Sequence, residues 1–285
     1  MHFAFCILHS GEAWAQESFS LSLYPPILEV ISRPGQTITQ MYKISNGLAK
    51  DVEVVVGVVP FKPVGEDGQV QLSLEKLTPD RSLNWFALDD PNKTLDQPFL
   101  LKANSEEEVV LKIRIPQDAA YKDYYYSLLA RTNPQINTQG PTRTVIAPAI
   151  ASHILITVSE AGLKPADLEI AHFGLAKTLL PNLVDSFETV GFEAVVKNMG
   201  KHFAKMKGQI IVSGIIGQGS QKLELLPLNV LAFSSRKVTC PDSANCRLAR
   251  RLLFGRFQAK LILESQGQTR QQSFYFYVLP VKLVG

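Results

Sequence analysis

Apolar and polar residues alternate along most of this chain, and the alternation returns every ten to fifteen residues between turn signals. Phe19-Ser20-Leu21-Ser22-Leu23 alternates with a period of two, which turns one side of an extended strand inward. Pro25-Pro26 interrupts it and Ile27 to Ile31 resumes it, so this strand lies at an edge or switches between sheets. Arg33-Pro34-Gly35-Gln36 is a turn, and Thr37 to Ile44 reads as a strand ending at Asn46-Gly47, a dipeptide suited to hairpins. Val52 to Val59 is almost wholly β-branched, the pattern of a strand buried on both faces. Gly65-Glu66-Asp67-Gly68 turns the chain into Gln69 to Leu74, and Asp80 to Leu88 reads as one helical turn with Trp85 as a core plug. Val109 to Ile115, Tyr124 to Arg131 and Ile150 to Val158 complete a first set of strands.

Periodicity lapses at Ser159-Glu160-Ala161-Gly162-Leu163-Lys164-Pro165, and a second set of strands follows. These are Leu168–Phe173, Phe187–Lys197, Gly208–Ile216, Lys222–Leu226, Arg236–Thr239, Arg256–Leu263 and Gln272–Leu279, with turns at Asn198-Met199-Gly200 and Ser265-Gln266-Gly267-Gln268. No segment carries sustained helical periodicity. The expectation is an all-β protein of two tandem immunoglobulin-like β-sandwich domains, residues 16–160 and 161–285, behind a leader at 1–15. The leader reading rests on the apolar run Phe3 to Leu8 and on Ala13-Trp14-Ala15, a pattern suited to signal peptidase. Its basic start is missing, so it is either a weak signal or the end of a longer one.

At 285 residues, 46% hydrophobic and 19% charged, the chain can bury two ordinary cores. A net charge of +3 argues against nucleic acid as a partner. No run of about 18 apolar residues marks a transmembrane helix. Without Cys6 of the leader, Cys240 and Cys246 remain, separated by the turn-forming Pro-Asp-Ser-Ala-Asn. They form either a disulfide, which fits an oxidising compartment, or two free thiols. Zinc lacks the remaining ligands, and no cofactor is expected.

Nucleophile elbows and phosphate loops are missing: Gly217-Gln218-Gly219-Ser220-Gln221 has the wrong spacing and reads as a turn. His153, His172 and His202 stand singly, as strand residues rather than ligands or bases. Asp89-Asp90 with Asp96 reads as an acidic turn in preference to a calcium loop, and Asn92-Lys93-Thr94 matches a glycosylation sequon. The chain is therefore expected to bind and not to catalyse. Two surfaces are candidates. Tyr121, Tyr124, Tyr125 and Tyr126 alternate, sending Tyr124 and Tyr126 to one face and Tyr125 to the other, so one set packs the core and the other is available to a partner or a sugar. Arg247, Arg250, Arg251 and Arg256 surround Leu252-Leu253-Phe254-Gly255 and could meet an anionic polymer or an acidic partner.

Leu21 to Asn46, Ser82-Leu83-Asn84-Trp85-Phe86 with Phe99-Leu100-Leu101, and Tyr121 to Leu129 resemble the bacterial WxL-interacting cell-surface proteins and related envelope proteins with tandem sandwich domains. Asp123 stands where that family usually carries glycine. In the second half Val196-Lys197-Asn198-Met199-Gly200, Asn229-Val230-Leu231 and Phe254-Gly255-Arg256-Phe257 continue the likeness, which spans roughly residues 19 to 280. The resemblance implies a surface scaffold that contacts other envelope or surface proteins and a cell-wall polymer, in an extracytoplasmic location. Ser105 to Pro116 also echoes the periplasmic pilus chaperones, two tandem sandwiches that bind by adding a strand at a sheet edge; the basic residues with which they clamp a subunit find no match here. A carbohydrate-binding module is the third reading and requires an exposed aromatic row.

Overall fold

The computed structural model describes residues 20–281 apart from 74–80, 133–134, 138–143, 147, 163–166, 177, 179, 215–218, 242–245 and 249–253. The leader reading at 1–15 lies outside the described residues, as do Arg250 and Arg251. Among the described residues, twelve strands precede residue 159. They are β1 (Leu21–Tyr24), β2 (Ile27–Ser32), β3 (Thr37–Asn46), β4 (Val52–Val64), β5 (Gln69–Leu72) and β6 (Phe86–Leu88). After these come β7 (Pro98–Leu101), β8 (Ser105–Arg114), β9 (Asp123–Thr132), β10 (Gln135–Asn137), β11 (Thr144–Ile146) and β12 (Ala149–Val158). One sheet runs β1-β3-β8-β6; the facing sheet runs β2-β12-β9-β4-β5, with β7 also on β4. The short hairpin β10–β11 extends the β9–β12 pair beyond the sandwich. Arg81–Trp85 forms a single 3-10 turn where the sequence predicts a helical one.

The second unit starts at β13 (Leu168–Leu175), followed by β14 (Leu183–Asp185), β15 (Phe192–Asn198), β16 (Ala204–Gly214) and β17 (Ser220–Glu224). It ends with β18 (Leu228–Val230), β19 (Ser235–Lys237), β20 (Gly255–Ser265) and β21 (Gln268–Leu279). Its sheets are β13-β15-β19 and β14-β21-β20-β16-β17, with β18 also on β16. The chain is thus two tandem immunoglobulin-like β-sandwiches, as its periodicity predicts. In both, an early strand lies parallel to the last one: β2 on β12, and β14 on β21. The switch that Pro25-Pro26 predicts occurs there, β1 belonging to one sheet and β2 to the other, with the Tyr24–Pro25 peptide cis between them.

Alternation decides what is buried. Val109, Leu111 and Ile113 of β8 point inward against Val54, Val56, Leu128, Ile154 and Ile156. In the second unit Phe257, Ala259, Leu261 and Leu263 of β20 meet Phe192, Val196, Met206 and Phe276. Burying side chains of this size yields about 1.5–3 kcal/mol each, which makes each core self-sufficient. Gln266 and Gly267, both with positive φ, close the β20–β21 hairpin at the predicted turn.

Two expectations are corrected. Residues 187–191 are not strand, because β14 has already ended at Asp185, and the chain must turn before β15 begins at Phe192 in the other sheet. Asn46-Gly47 makes no hairpin either, since β3 and β4 lie in opposite sheets. Asn46 is buried, and its amide Nδ2 donates to the carbonyls of Lys50 at 2.8 Å and Lys102 at 3.0 Å. Its Oδ1 accepts the Leu48 N–H at 3.0 Å. Asn198 repeats the device in the second unit: Nδ2 donates to His202 and Val230 carbonyls at 2.8 and 2.9 Å, and Oδ1 accepts from Gly200. Each asparagine satisfies the loop that crosses between sheets, a task that a buried backbone cannot leave undone.

Replacing Asn198 with Ala strips both donors from buried carbonyls and is expected to cost about 1–3 kcal/mol in guanidinium unfolding. Asn46→Ala should behave alike. A loss under about 0.5 kcal/mol, the range of an ordinary surface change, would show that these amides do not anchor the crossings.

Candidate functional site

The outer face of the β2-β12-β9-β4-β5 sheet is covered in part by the second sandwich. Phe61 on β4, Tyr125 on β9 and Leu155 on β12 project to this face, where they meet Phe203 and Leu231 of the second unit. Tyr125 stacks on Phe61 with ring centroids 5.7 Å apart, and its hydroxyl accepts the Ala232 N–H at 3.0 Å. Burial first, and then the neighbouring Asp123 carboxylate, push the Tyr125 phenol well above its ordinary value.

Asp123 is the polar centre of this junction, its side chain only 2% exposed. One carboxylate oxygen lies 2.8 Å from both Thr157 Oγ1 and His202 Nδ1; the other accepts from the Tyr125 hydroxyl at 2.8 Å and from the Phe203 N–H. Two donors thus come from the first sandwich and two from the second. Around them, Glu29 on β2 binds Lys205 Nζ at 3.0 Å and Asn229 Nδ2 at 2.7 Å, and the Lys237 N–H donates to the Glu66 carbonyl at 2.6 Å. Arg236 lies against Gly68, whose φ of 80° and missing side chain leave the guanidinium its place. These contacts bind the two sandwiches to one another from both edges of the sheet.

Past this footprint the same sheet offers an open edge. β2 pairs with β12 only from His153 to Val158. The His153 N–H donates to the Pro26 carbonyl, so alternation sends the main-chain groups of Ala149 and Ala151 to that same side. Among the described residues no strand pairs with them there, and Ala149 is exposed while Ala151 is half-buried. The opposite side of β12 is fully used, from Ala149 opposite Arg131 to Thr157 opposite Asp123. The outcome is a rigid strand with one unpaired edge, running toward the β10–β11 hairpin.

The tyrosine run does not make a single open surface. Tyr126 is buried, donating to Ser82 Oγ and packing edge-on to Phe86 at 4.8 Å. Tyr124 packs on Trp85 at 4.7 Å, both half-buried against the margin of the core, where Phe86 takes the buried place expected of Trp85. Tyr125 is committed to the second sandwich, and only Tyr121, 58% exposed and donating to Glu160, faces outward. Cys240 and Cys246 form a disulfide, both buried. Beside it, Arg247 bridges Gly191 and the Phe192 N–H donates to the Cys246 carbonyl. Asp89 and Asp90 pair with Lys112 and Lys93, and Asp96 stands 3.7 Å from Arg131, so the three carboxylates do not converge. His153 packs on Phe61 at 5.0 Å and shares a hydrogen bond with Ser127, and burial lowers its pKa. Periodicity does not single out Phe203 or Leu231, and the family likeness that includes Leu231 assigns it no role.

No family model matches the chain, and no curated protein matches it in sequence. Among solved structures it is similar to the class 5 fimbriae chaperone CfaA, with a TM-score of 0.42 and 13% identity over 90% of this chain and 99% of that one. A structure of Salmonella enterica SafA pilin in complex with the SafB chaperone gives 0.41 and 15% over 92% and 98%. The Pseudomonas aeruginosa CupB2 chaperone gives 0.38 and 10% over 90% and 100%.

Asp123→Ala leaves several buried donors without an acceptor and is expected to cost about 3 kcal/mol or more. It should also loosen the junction, read as a larger radius of gyration in X-ray scattering and faster proteolysis between residues 159 and 167. Unchanged scattering would show that the apolar contacts suffice. His153 supplies a pH test. The unfolded chain takes up its proton near 6.5, whereas the folded chain resists until lower pH. Stability from this group is therefore present above 6.5 and lost on acidification through it. His153→Gln should flatten that part of the unfolding profile between neutral and mildly acidic pH, and an unaltered slope would refute it.

Proposed function

We propose that this chain is a non-enzymatic, exported envelope protein that binds an extended segment of a partner protein by strand addition to the open edge of β12. The observation that carries the reading is the unpaired main chain at Ala149 and Ala151. An edge of this kind presents N–H and C=O groups in register, so a partner strand gains hydrogen bonds without needing any particular side chain. The junction around Asp123 keeps the sheet rigid behind that edge, so little ordering is required of the protein when it binds. The Cys240–Cys246 disulfide supports an oxidising, extracytoplasmic location.

This mode of binding serves both the scaffold that the WxL-interacting resemblance implies and a pilus-chaperone-like protein. We favour the second, because two sandwiches fixed to one another at the Asp123 junction, with an edge strand left open on the first, suit a protein that holds a partner strand by main-chain pairing. On this reading affinity comes from the main chain of β12 and from the apolar side chains beside it. The carbohydrate reading loses its basis in the 121–126 run, since three of those four tyrosines are occupied within the protein.

Ala151→Pro removes an N–H that points to the open side and leaves the β9 ladder intact, a substitution tolerated at a sheet edge. A fluorescent peptide of alternating valine and threonine should bind the native protein saturably and bind Ala151→Pro at least tenfold more weakly, with the unfolding midpoint preserved. A photo-crosslinker at position 149 should label the bound peptide, and one at Met41 should not. Equal binding by Ala151→Pro, or no labelling from 149, would sink the strand-addition reading. Recovery of the native protein from the cytosol with residues 1–15 intact would sink the export reading.

A further inference from the structure

The second sandwich also leaves an edge open, longer than that of β12 and different in composition. β14 lies beside β21 only where Leu183, Val184 and Asp185 face Tyr277, Val278 and Leu279. The Tyr277 N–H donates to the Asn182 carbonyl at 2.8 Å, so alternation turns the main-chain groups of Tyr275, Ser273, Gln271 and Thr269 to that same side. Among the described residues no strand pairs with them there. The opposite side of β21 is used without a break, from Gln268 opposite Ser265 to Val278 opposite Gly255. Thr269, Gln271 and Ser273 are exposed, and Tyr275 is 44% exposed.

Sheet edges are ordinarily blunted by proline, lysine, a bulge or a very short strand. β21 carries neither proline nor lysine, and its register on β20 does not shift. Its one charged side chain, Arg270, is drawn to the other sheet, where Nε donates to the Leu168 carbonyl at 3.1 Å. β13, the strand that holds this carbonyl, is by contrast broken by a bulge between Ile170 and His172. Of the two neighbouring edges, one is protected and the other is not.

We propose that β21 pairs with β21 of a second copy of this chain, antiparallel about a two-fold axis at Gln272. Thr269 then stands opposite Tyr275 of the second copy, and Gln271 opposite Ser273. Each outward residue is matched once, which gives about eight hydrogen bonds between the chains. Neighbouring registers lose pairs. An axis at Gln271 sets Tyr275 against Gly267 in the hairpin turn, and one at Ser273 sets Thr269 against Tyr277, whose N–H is already taken by Asn182. Side chains agree with the choice, since a β-branched residue meets an aromatic one, Arg270 faces Phe274, and no like charges oppose each other. A foreign strand would find the same main-chain groups, but glutamine, threonine and serine offer it no apolar pocket. Pairing of identical edges also closes on itself, giving a dimer and not a fibre. The inference stands independently of strand addition at β12, which lies on the other sandwich.

Sedimentation velocity of the full chain between roughly 1 and 100 μM tests it, with monomer expected at the low end and dimer at the high end. Gln272→Lys sets two ammonium groups against each other at the axis and should weaken dimerisation at least tenfold. It should leave the unfolding midpoint, and binding of the valine–threonine peptide to β12, unchanged. In a Cys6→Ser background, Gln272→Cys should oxidise to a disulfide-linked dimer, because residues at the axis form a non-hydrogen-bonded pair with Cα atoms about 4.5 Å apart. Ser273→Cys, about 7–8 Å from its own copy, should not. A chain that stays monomeric throughout overturns the proposal. So does a dimer that Gln272→Lys leaves intact, or one that cross-links through position 273 and not through 272.

Discussion

One buried carboxylate determines how this molecule is put together. Asp123 sits at the start of β9, takes two hydrogen bonds from its own sandwich and two from the next, and is almost wholly shielded from water. A charge in such a place is tolerated only if its lone pairs are satisfied, and satisfying them requires both domains to be in position. Specificity of arrangement is thus separate from bulk stability. Phe61, Leu155, Phe203 and Leu231 supply the apolar area, which alone would accept a range of tilts. The carboxylate selects one.

That separation explains why the fold was legible in the sequence and the junction was not. Strands announce themselves by period: Val109, Leu111 and Ile113 point inward because every second residue must. The junction needs only a few side chains from distant segments, and none has to recur. Tyr125 shows the limit. Alternation correctly puts it on the face opposite Tyr124 and Tyr126, but period alone cannot tell solvent from a neighbouring domain. Asp123 was visible as a departure from the glycine of the family that the chain resembles, although nothing in one sequence reveals that the departure receives four donors. Asn46-Gly47 failed for a related reason. Its turn chemistry is real, since the asparagine does bond its own loop, but the loop crosses between sheets and the amide is spent on carbonyls beside β4 and β7.

The repeated asparagine also bears on how the two sandwiches relate. Asn46 and Asn198 stand at the same place in their domains, each at the end of a strand whose successor lies elsewhere in the sandwich, with the same three kinds of contact. The parallel pairs β2–β12 and β14–β21 repeat as well. The units nevertheless diverge at their edges. In the first, β2 stops short and leaves Ala149 and Ala151 unpaired; in the second, disulfide-bonded Cys246 and its neighbour Arg247 meet the start of β15. Shared devices lie where both chains must cross between sheets, and the differences fall where each domain meets its surroundings.

A rigid junction matters because the open edge belongs to one sandwich while the other presents surfaces of its own. If the domains tilted freely, a segment held on β12 would sample many positions relative to whatever the second sandwich touches. With Asp123, Glu29 and Glu66 each tied across the junction, the direction of the β12 edge is set relative to the second sandwich. The linker between Val158 and Leu168 then needs no stiffness of its own, since orientation is imposed by packing on either side. Loss of the Asp123 contacts would leave both sandwiches folded, each on its own core, while erasing the geometric relation between the two surfaces. The buried carboxylate contributes orientation as well as stability, and orientation is the part that the apolar contacts cannot replace.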